Sequence, residues 1–262
     1  MAAPDVSHSA VVGEDGSLFV WGSGRSGKLG TGDELNRCAP TRVEGLPAPI
    51  RQVSAGFHRT GLVTDDGDLL LCGFGMHGAL GLGDEENRTT PTLVARALFD
   101  GDAVLMVACG EFHTAVLTER GGVYTFGSGG RGQYGVAEIQ PAPLKSQLVP
   151  RQVLAAFFND ERVVMLAAGC GFTVALTEQG NVYTWGNGTS GQLGNASNRC
   201  QSEPQQVDTG RFRGEKVVFV AAGAMHTAAV TAEGRLYTWG YGDDGELGHG
   251  DGCTMVVPTM VA

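Results

Sequence analysis

One segment of ten residues returns five times along this chain, and that return limits the fold more than any other property of the sequence. The stretch from Trp21 to Gly30, WGSGRSGKLG, comes back as Cys72 to Gly81, Phe126 to Gly135, Trp185 to Gly194 and Trp239 to Gly248. The leading glycines, Gly22, Gly73, Gly127, Gly186 and Gly240, lie 51, 54, 59 and 54 residues apart. A period near fifty is that of propeller blades. Ahead of each copy stand two apolar runs joined by a turn that carries Gly16, Gly67, Gly121, Gly180 or Gly234. Two such runs around a glycine turn predict a β-hairpin. In the second run aromatics alternate, as Phe19/Trp21, Tyr124/Phe126, Tyr183/Trp185 and Tyr237/Trp239, with Leu70 and Cys72 in the second repeat. A period of two puts each pair on one sheet face, where the rings pack against a neighbouring sheet.

Behind each copy an irregular stretch leads to Pro40, Pro91, Pro150, Pro204 or Pro258. In the first four repeats another apolar run follows and ends at Gly56, Gly110, Gly169 or Gly223. That makes about four short strands per unit, too little to bury both faces of a sheet alone; radial stacking of neighbours does it. The prediction is an all-β, single propeller-type domain over 1–262, with repeats at about 4–54, 55–108, 109–167, 168–221 and 222–262, the last incomplete. No segment shows a sustained helical period with caps; Gln147 to Asp160 comes nearest, and Pro150 interrupts it.

Composition narrows the function. Gly supplies 42 of 262 residues, which fits many tight turns, and the absence of a strict triplet excludes collagen. The net charge of -10, with no Lys/Arg run, disfavours direct binding to a nucleic-acid backbone and favours basic partner surfaces. None of the six cysteines forms a C-x-x-C pair, and Cys72, Cys109 and Cys170 sit in apolar runs as expected of buried thiols. Met1 to Gly13 has neither a basic start nor a long apolar stretch, so no signal peptide or membrane span is visible and the expected location is cytoplasmic or nuclear. The sequons at Asn87, Asn187 and Asn195 are then chance matches.

Every glycine segment also reads G-x-G-x-x-G, the pattern of a dinucleotide site. That chemistry needs a helix after the glycines and an acid some twenty residues on. Here a Pro-terminated loop follows instead. Gly22, Gly24, Gly73, Gly75, Gly127, Gly129, Gly186, Gly188, Gly240 and Gly242 are therefore expected to be architectural, with no cofactor. His8, His113 and His226 recur once per repeat, so a ring would keep them apart, whereas a metal needs converging ligands. Each is expected to bond backbone in its own turn. The Gly-Asp pairs at Asp33, Asp84 and Asp251 fit Asx turns. No nucleophile elbow, H-E-x-x-H or P-loop is present, so no catalytic or metal residue is assigned and no chemical catalysis is expected.

The pattern resembles the regulator of chromosome condensation repeat, whose signature runs G-x-x-H-T, an apolar strand, an acidic-Gly turn, an aromatic strand and G-x-G-x-x-G-Q-L-G. Here stand Gly110-Glu111-Phe112-His113-Thr114 and Gly223-Ala224-Met225-His226-Thr227, and Gly186 to Gly194 reads GNGTSGQLG. The second repeat has Arg59 at the His position, after His58, and the fourth has Phe172. Members of that family usually close seven blades; five glycine loops predict an incomplete, open part of such a ring, with a closed five-blade ring as the rival. The founding member is a guanine-nucleotide exchange factor for a nuclear small GTPase and meets its partner through the G-x-x-H-T face and a β-wedge insertion. By resemblance, Glu111, His113 and His226, with Arg59 and Phe172, lie on a partner-binding face. The long excursion from Val136 to Asp160, with Pro141, Pro143, Leu144, Leu148, Phe157 and Phe158, is the candidate partner-reaching insertion; its alternative is a covering loop that seals the blade edge. The resemblance implies a protein-binding propeller, a regulator or exchange factor of a small GTPase, against a non-catalytic scaffold segment of a larger multidomain protein. A light-sensing role would need clustered tryptophans, and Trp21, Trp185 and Trp239 stand one per repeat at a packing position.

Overall fold

The computed structural model describes residues 8–136 and 146–262. The first sheet holds β1 (His8–Val12), β2 (Leu18–Gly22) and β3 (Arg37–Arg42). The second holds β4 (Ile50–Ala55), β5 (Arg59–Thr64), β6 (Leu69–Gly73) and β7 (Arg88–Val94). The third holds β8 (Val104–Cys109), β9 (His113–Thr118), β10 (Val123–Gly127) and β11 (Gln147–Val153). The fourth holds β12 (Val163–Ala168), β13 (Phe172–Thr177), β14 (Val182–Gly186) and β15 (Gln201–Gln206). The fifth holds β16 (Val217–Ala222), β17 (His226–Thr231), β18 (Leu236–Gly240) and β19 (Met255–Met260). All pairings within them are antiparallel and between sequence neighbours, giving one three-stranded and four four-stranded blades.

The blades stand side by side around an axis, each packed on the next through its inner strands. Four apolar cores result, one per blade boundary. Between the first two blades lie Leu18, Val20, Leu29, Ile50, Leu62 and Leu70. The later boundaries are larger and end in the ring of the following blade: Phe126, Trp185 and Trp239 are each 0% exposed. The ring is open. In β5, β9 and β13 every residue is buried, whereas in β17 His226, Ala228 and Val230 alternate as half-buried along the face that no further blade covers.

The first glycine of each segment sits at a β-bulge where the third strand breaks register with the fourth, at φ between 100° and 111°. Only glycine adopts that backbone without strain. The second glycine answers a different demand: a Cβ on Gly75 would lie 2.0 Å from the Glu86 carbonyl oxygen, and on Gly188 2.1 Å from that of Arg199. No α-helix springs from any of these corners. In the first two repeats the loop makes a single 3-10 turn, Arg25–Gly27 and Met76–Gly78. The dinucleotide motif is therefore a folded-back loop with no helix end to hold a phosphate.

Gln147 to Asp160, read from sequence as irregular, is a fourth strand followed by a 3-10 turn at Ala155–Phe158. Arg96–Phe99 and Thr209–Phe212 are its counterparts. Each turn drives one phenylalanine beneath the next aromatic pair. Phe99 meets Tyr124 edge-on at 5.3 Å, Phe158 meets Tyr183 at 5.4 Å and Trp185 at 5.9 Å, and Phe212 meets Tyr237 at 5.3 Å. Such edge-to-face pairs add about 0.5–1.5 kcal/mol beyond burial.

Candidate functional site on the glycine-loop face

The turns between first and second strands and the glycine loops between third and fourth strands emerge on the same side of the ring, because both follow strands that run that way. On that side a repeated circuit joins the blades. The side chain at the His position reaches the Thr hydroxyl of the following blade: His8 Nε2 lies 2.7 Å from Thr60 Oγ1, and His113 Nε2 lies 2.9 Å from Thr173 Oγ1. The Thr hydroxyl in turn donates back to a glycine-loop carbonyl of the preceding blade, Thr60 to Lys28 O at 2.6 Å, Thr114 to Ala79 O at 2.8 Å and Thr227 to Gln192 O at 2.8 Å. The indoles join the same carbonyl row: Trp185 Nε1 donates to Gln133 O and Trp239 Nε1 to Gln192 O, both at 3.0 Å. The sequence expectation that each His bonds backbone in its own turn is thus corrected. The partner is a side chain one blade away, reached because stacking brings residues more than fifty positions apart into register.

Burial removes the charge from these imidazoles. It holds His8 down to about 4, helped by the Lys28 charge, and His113 down to about 3, helped by Arg59. Both are neutral at pH 7. Arg59 replaces His in the second repeat and uses the extra reach. Its Nε donates to Thr114 Oγ1 at 3.0 Å, Nη1 to Glu111 O at 3.1 Å and Nη2 to His113 O at 2.8 Å. Desolvation lowers it to about 10, so it stays a cation, held by carbonyl and hydroxyl oxygens.

Arg59, His113 and Phe172 are each 0% exposed. They were expected on a partner-binding face; their side chains instead lie between blades, because the G-x-x-H turn points its fourth residue into the boundary. Phe158 is 2% exposed and also leaves that surface, sealing the blade edge beneath Trp185, while Phe157 is half-buried. Leu144 lies outside the described residues, as do Pro141 and Pro143. Glu111 is half-buried on the glycine-loop face, and His226 is half-buried on the open side of the fifth blade.

The residues just before the His position, and the loops beside them, form the surface instead. His58 stacks on Phe112 with ring centroids 5.4 Å apart and planes at 29°. Phe74 lies 5.7 Å from His58 and 6.4 Å from Phe112, and His77 meets Phe112 edge-on at 6.0 Å. Phe57 flanks His58 at 6.4 Å, and exposed Met76 stands beside the group. All five rings are half-buried. Burial and the nearby Arg59 and Lys28 charges lower the His58 pKa, which disfavours a proton on its ring. Three phenylalanines, two imidazoles and a thioether form an apolar patch across the second and third blades, rimmed by exposed Arg25 and by Glu111. Sequence reasoning missed it. The available signal was an aromatic residue directly before the His position in consecutive repeats, His58 and Phe112. Among the described residues no three His, Cys, Asp or Glu side chains converge as metal ligands, and no helix is long and apolar enough to cross a membrane.

Comparison with known proteins agrees with this architecture. The chain is 35% identical over 257 residues to the ultraviolet-B receptor UVR8 of Arabidopsis thaliana, covering 97% of this chain and 56% of that protein. It is 35% identical to human E3 ubiquitin-protein ligase HERC2, of which it covers 5%. The chain thus spans about half or less of the length of these relatives. Among solved structures, human WBSCR16 superposes with a TM-score of 0.86 at 25% identity, over 98% of this chain and 65% of that one. Prp20p from Saccharomyces cerevisiae superposes with a TM-score of 0.82 at 21% identity, over 98% and 61%. The regulator of chromosome condensation (RCC1) repeat matches residues 15–63, 66–117, 120–176, 179–230 and 233–262, so with five repeats in phase and blades to match, the chain belongs to the RCC1 repeat family.

Proposed function

We propose that this chain is a protein-interaction propeller whose glycine-loop face receives a partner through the patch of Phe57, His58, Phe74, Met76, His77 and Phe112. The observation that carries it is a contiguous group of five half-buried rings, each with its centroid 5.4 to 6.4 Å from a neighbour's. Aromatic side chains and Met are enriched at the cores of protein interfaces, and well-packed anchors there carry much of the binding energy. Glu111 belongs to the rim of this face, while Arg59 and His113 act from below by fixing the turns that carry His58 and Phe112.

The finer reading is regulation of a small GTPase, including exchange-factor activity without a chemical step. It is supported by family membership and by 30% identity to the X-linked retinitis pigmentosa GTPase regulator homolog of Caenorhabditis elegans. Prp20p, alike in fold, is described with binding properties to Gsp1p and histones. Release of a fluorescent guanine nucleotide from a panel of small GTPases tests it; acceleration lost in Phe112→Ala supports it, and no acceleration across the panel defeats the exchange reading. A scaffold role within a larger protein is the second reading, favoured by the short share of HERC2 that matches. It predicts partner capture by the same face with nucleotide release unchanged.

A further inference from the structure

A group of aromatic rings at a surface is, on general grounds, a place for a cation, because ring faces attract ammonium and guanidinium groups. The charges around the patch of Phe74, Met76 and Phe112 argue for the opposite occupant. Two buried cations lie in its floor: Arg59 is 0% exposed and Lys28 is 1% exposed. Arg59 follows His58 in the chain, and its guanidinium reaches under the turn that carries Phe112, to Glu111 O and His113 O. Its hydrogen bonds all end on carbonyl or hydroxyl oxygens, so no carboxylate is bonded to it among the described residues. Buried charges are screened much less than exposed ones, so these two act on the surface above them. Arg25 adds an exposed cation at the rim, and all three repel a proton on the His58 ring. Glu111 opposes them but faces the fourth blade: its backbone N–H donates to Gly169 O at 3.3 Å, and its carboxylate accepts from the Cys170 thiol. Acids of the two nearest glycine loops are taken by their own arginines, Asp33 by Arg37 at 2.7 Å, and Asp84 and Glu86 by Arg88 at 2.6 and 3.3 Å. In a chain of net charge -10, the patch is a cationic island.

The fold does not ask for the apolar part. Between its loop glycines the second repeat has Phe74, Met76 and His77 where the first has Ser23, Arg25 and Ser26, and both loops close on the same glycine corners with the same 3-10 turn. Met76 is 46% exposed, so the loop spends a large apolar side chain on the surface without filling any core.

We infer that the patch docks an acidic segment of a partner protein, with a large apolar side chain lying on Phe74, Met76 and Phe112 and a neighbouring Asp or Glu carboxylate facing Arg25. The inference rests on the reading of the patch as a docking site and names what it selects. The apolar side chain gains by leaving water against the rings. The carboxylate gains charge-assisted hydrogen bonds from an exposed guanidinium, with Arg59 and Lys28 attracting it from below. A lysine or arginine placed there would face three like charges, and such juxtaposition is what suppresses wrong partners.

A phage-displayed library of random peptides, selected on the full chain, tests it. The enriched peptides should carry Asp or Glu beside Phe, Leu, Met or Trp. Fluorescence anisotropy of the labelled peptides should show binding that falls as salt rises and that weakens by roughly tenfold or more in Arg25→Glu and in Met76→Glu. Both positions are exposed, so these variants keep the fold should Phe112→Ala not. Phe112→Ala reports whether a peptide sits on the patch at all. Basic peptides, or apolar peptides without an acid, that lose binding in Phe112→Ala or Met76→Glu would overturn the acidic assignment and leave the patch a docking site. Acidic peptides that bind Arg25→Glu as tightly as the wild type would also overturn it. Peptides indifferent to Phe112→Ala and Met76→Glu, or a library that yields no binder, would overturn both readings.

Discussion

His113 should make the stability of this protein depend on pH in a way that one substitution removes. Its ring is 0% exposed, its Nε2 is spent on Thr173, and its Nδ1 is buried with no partner. A proton added to that ring has no acceptor and faces the Arg59 charge. Burial accordingly lowers the pKa from its ordinary 6.5 to about 3 in the folded chain. The unfolded chain therefore binds more protons between those two values, and stability is present above pH 6.5 and lost as pH falls toward 3. Integrated from pH 7.5 to pH 5, that difference amounts to about 2 kcal/mol for this one ring. Carboxylates and His8, whose pKa is lowered in the same direction, also contribute, so the measurement must be differential. Phe172 occupies the equivalent site in the next blade at 0% exposure, which shows that the boundary accepts a phenyl ring there. Urea unfolding of wild type and His113→Phe at both pH values isolates the ring. The wild type should lose about 2 kcal/mol more between the two pH values than the variant does. An equal loss in both proteins would refute the assignment of a neutral, buried imidazole.

Three further outcomes follow from the same geometry. Phe212→Ala should destabilise by about 3–5 kcal/mol in chemical unfolding, since its ring fills the space beneath Tyr237 and Trp239; a loss under ~1 kcal/mol would mean that the turn collapses to fill the gap. Arg59→Ala should cost about 3–5 kcal/mol by stranding the Thr114, Glu111 and His113 acceptors, and Arg59→Lys should recover only part of it because a lysine cannot span them. Gly75→Ala should prevent stable folding, because its Cβ would sit 2.0 Å from a backbone oxygen, whereas Gly45→Ala, with φ of 74° but no atom of the described residues within 4 Å, should cost only about 1 kcal/mol; thermal melts of the pair separate close approach from backbone strain.

The chain by itself determined the repeat, the hairpins and the purpose of the glycine corners. These are local properties: an alternation of period two, a glycine turn and a bulge are complete within about thirty residues, so Tyr183/Trp185 and Gly186/Gly188 announce their roles without any knowledge of neighbours. The openness of the arc was legible too, from five glycine loops where the family usually has seven. What only the tertiary structure decided were relations between repeats. His113 bonds Thr173, 60 residues away, and His58 stacks on Phe112 across a blade boundary. No periodicity states which way a turn aims its fourth residue, so Arg59, His113 and Phe172 were expected outside and lie inside. Phe99 and Phe212 escaped notice, and Phe158 was read only as part of an insertion or a covering loop, for a related reason: each sits in a linker of its own sequence, and only the packed sheets show that the three fill equivalent sites beneath Tyr124, Tyr183 and Tyr237. Side-chain identity travels along the chain, whereas burial is set by what stacking places on top of it.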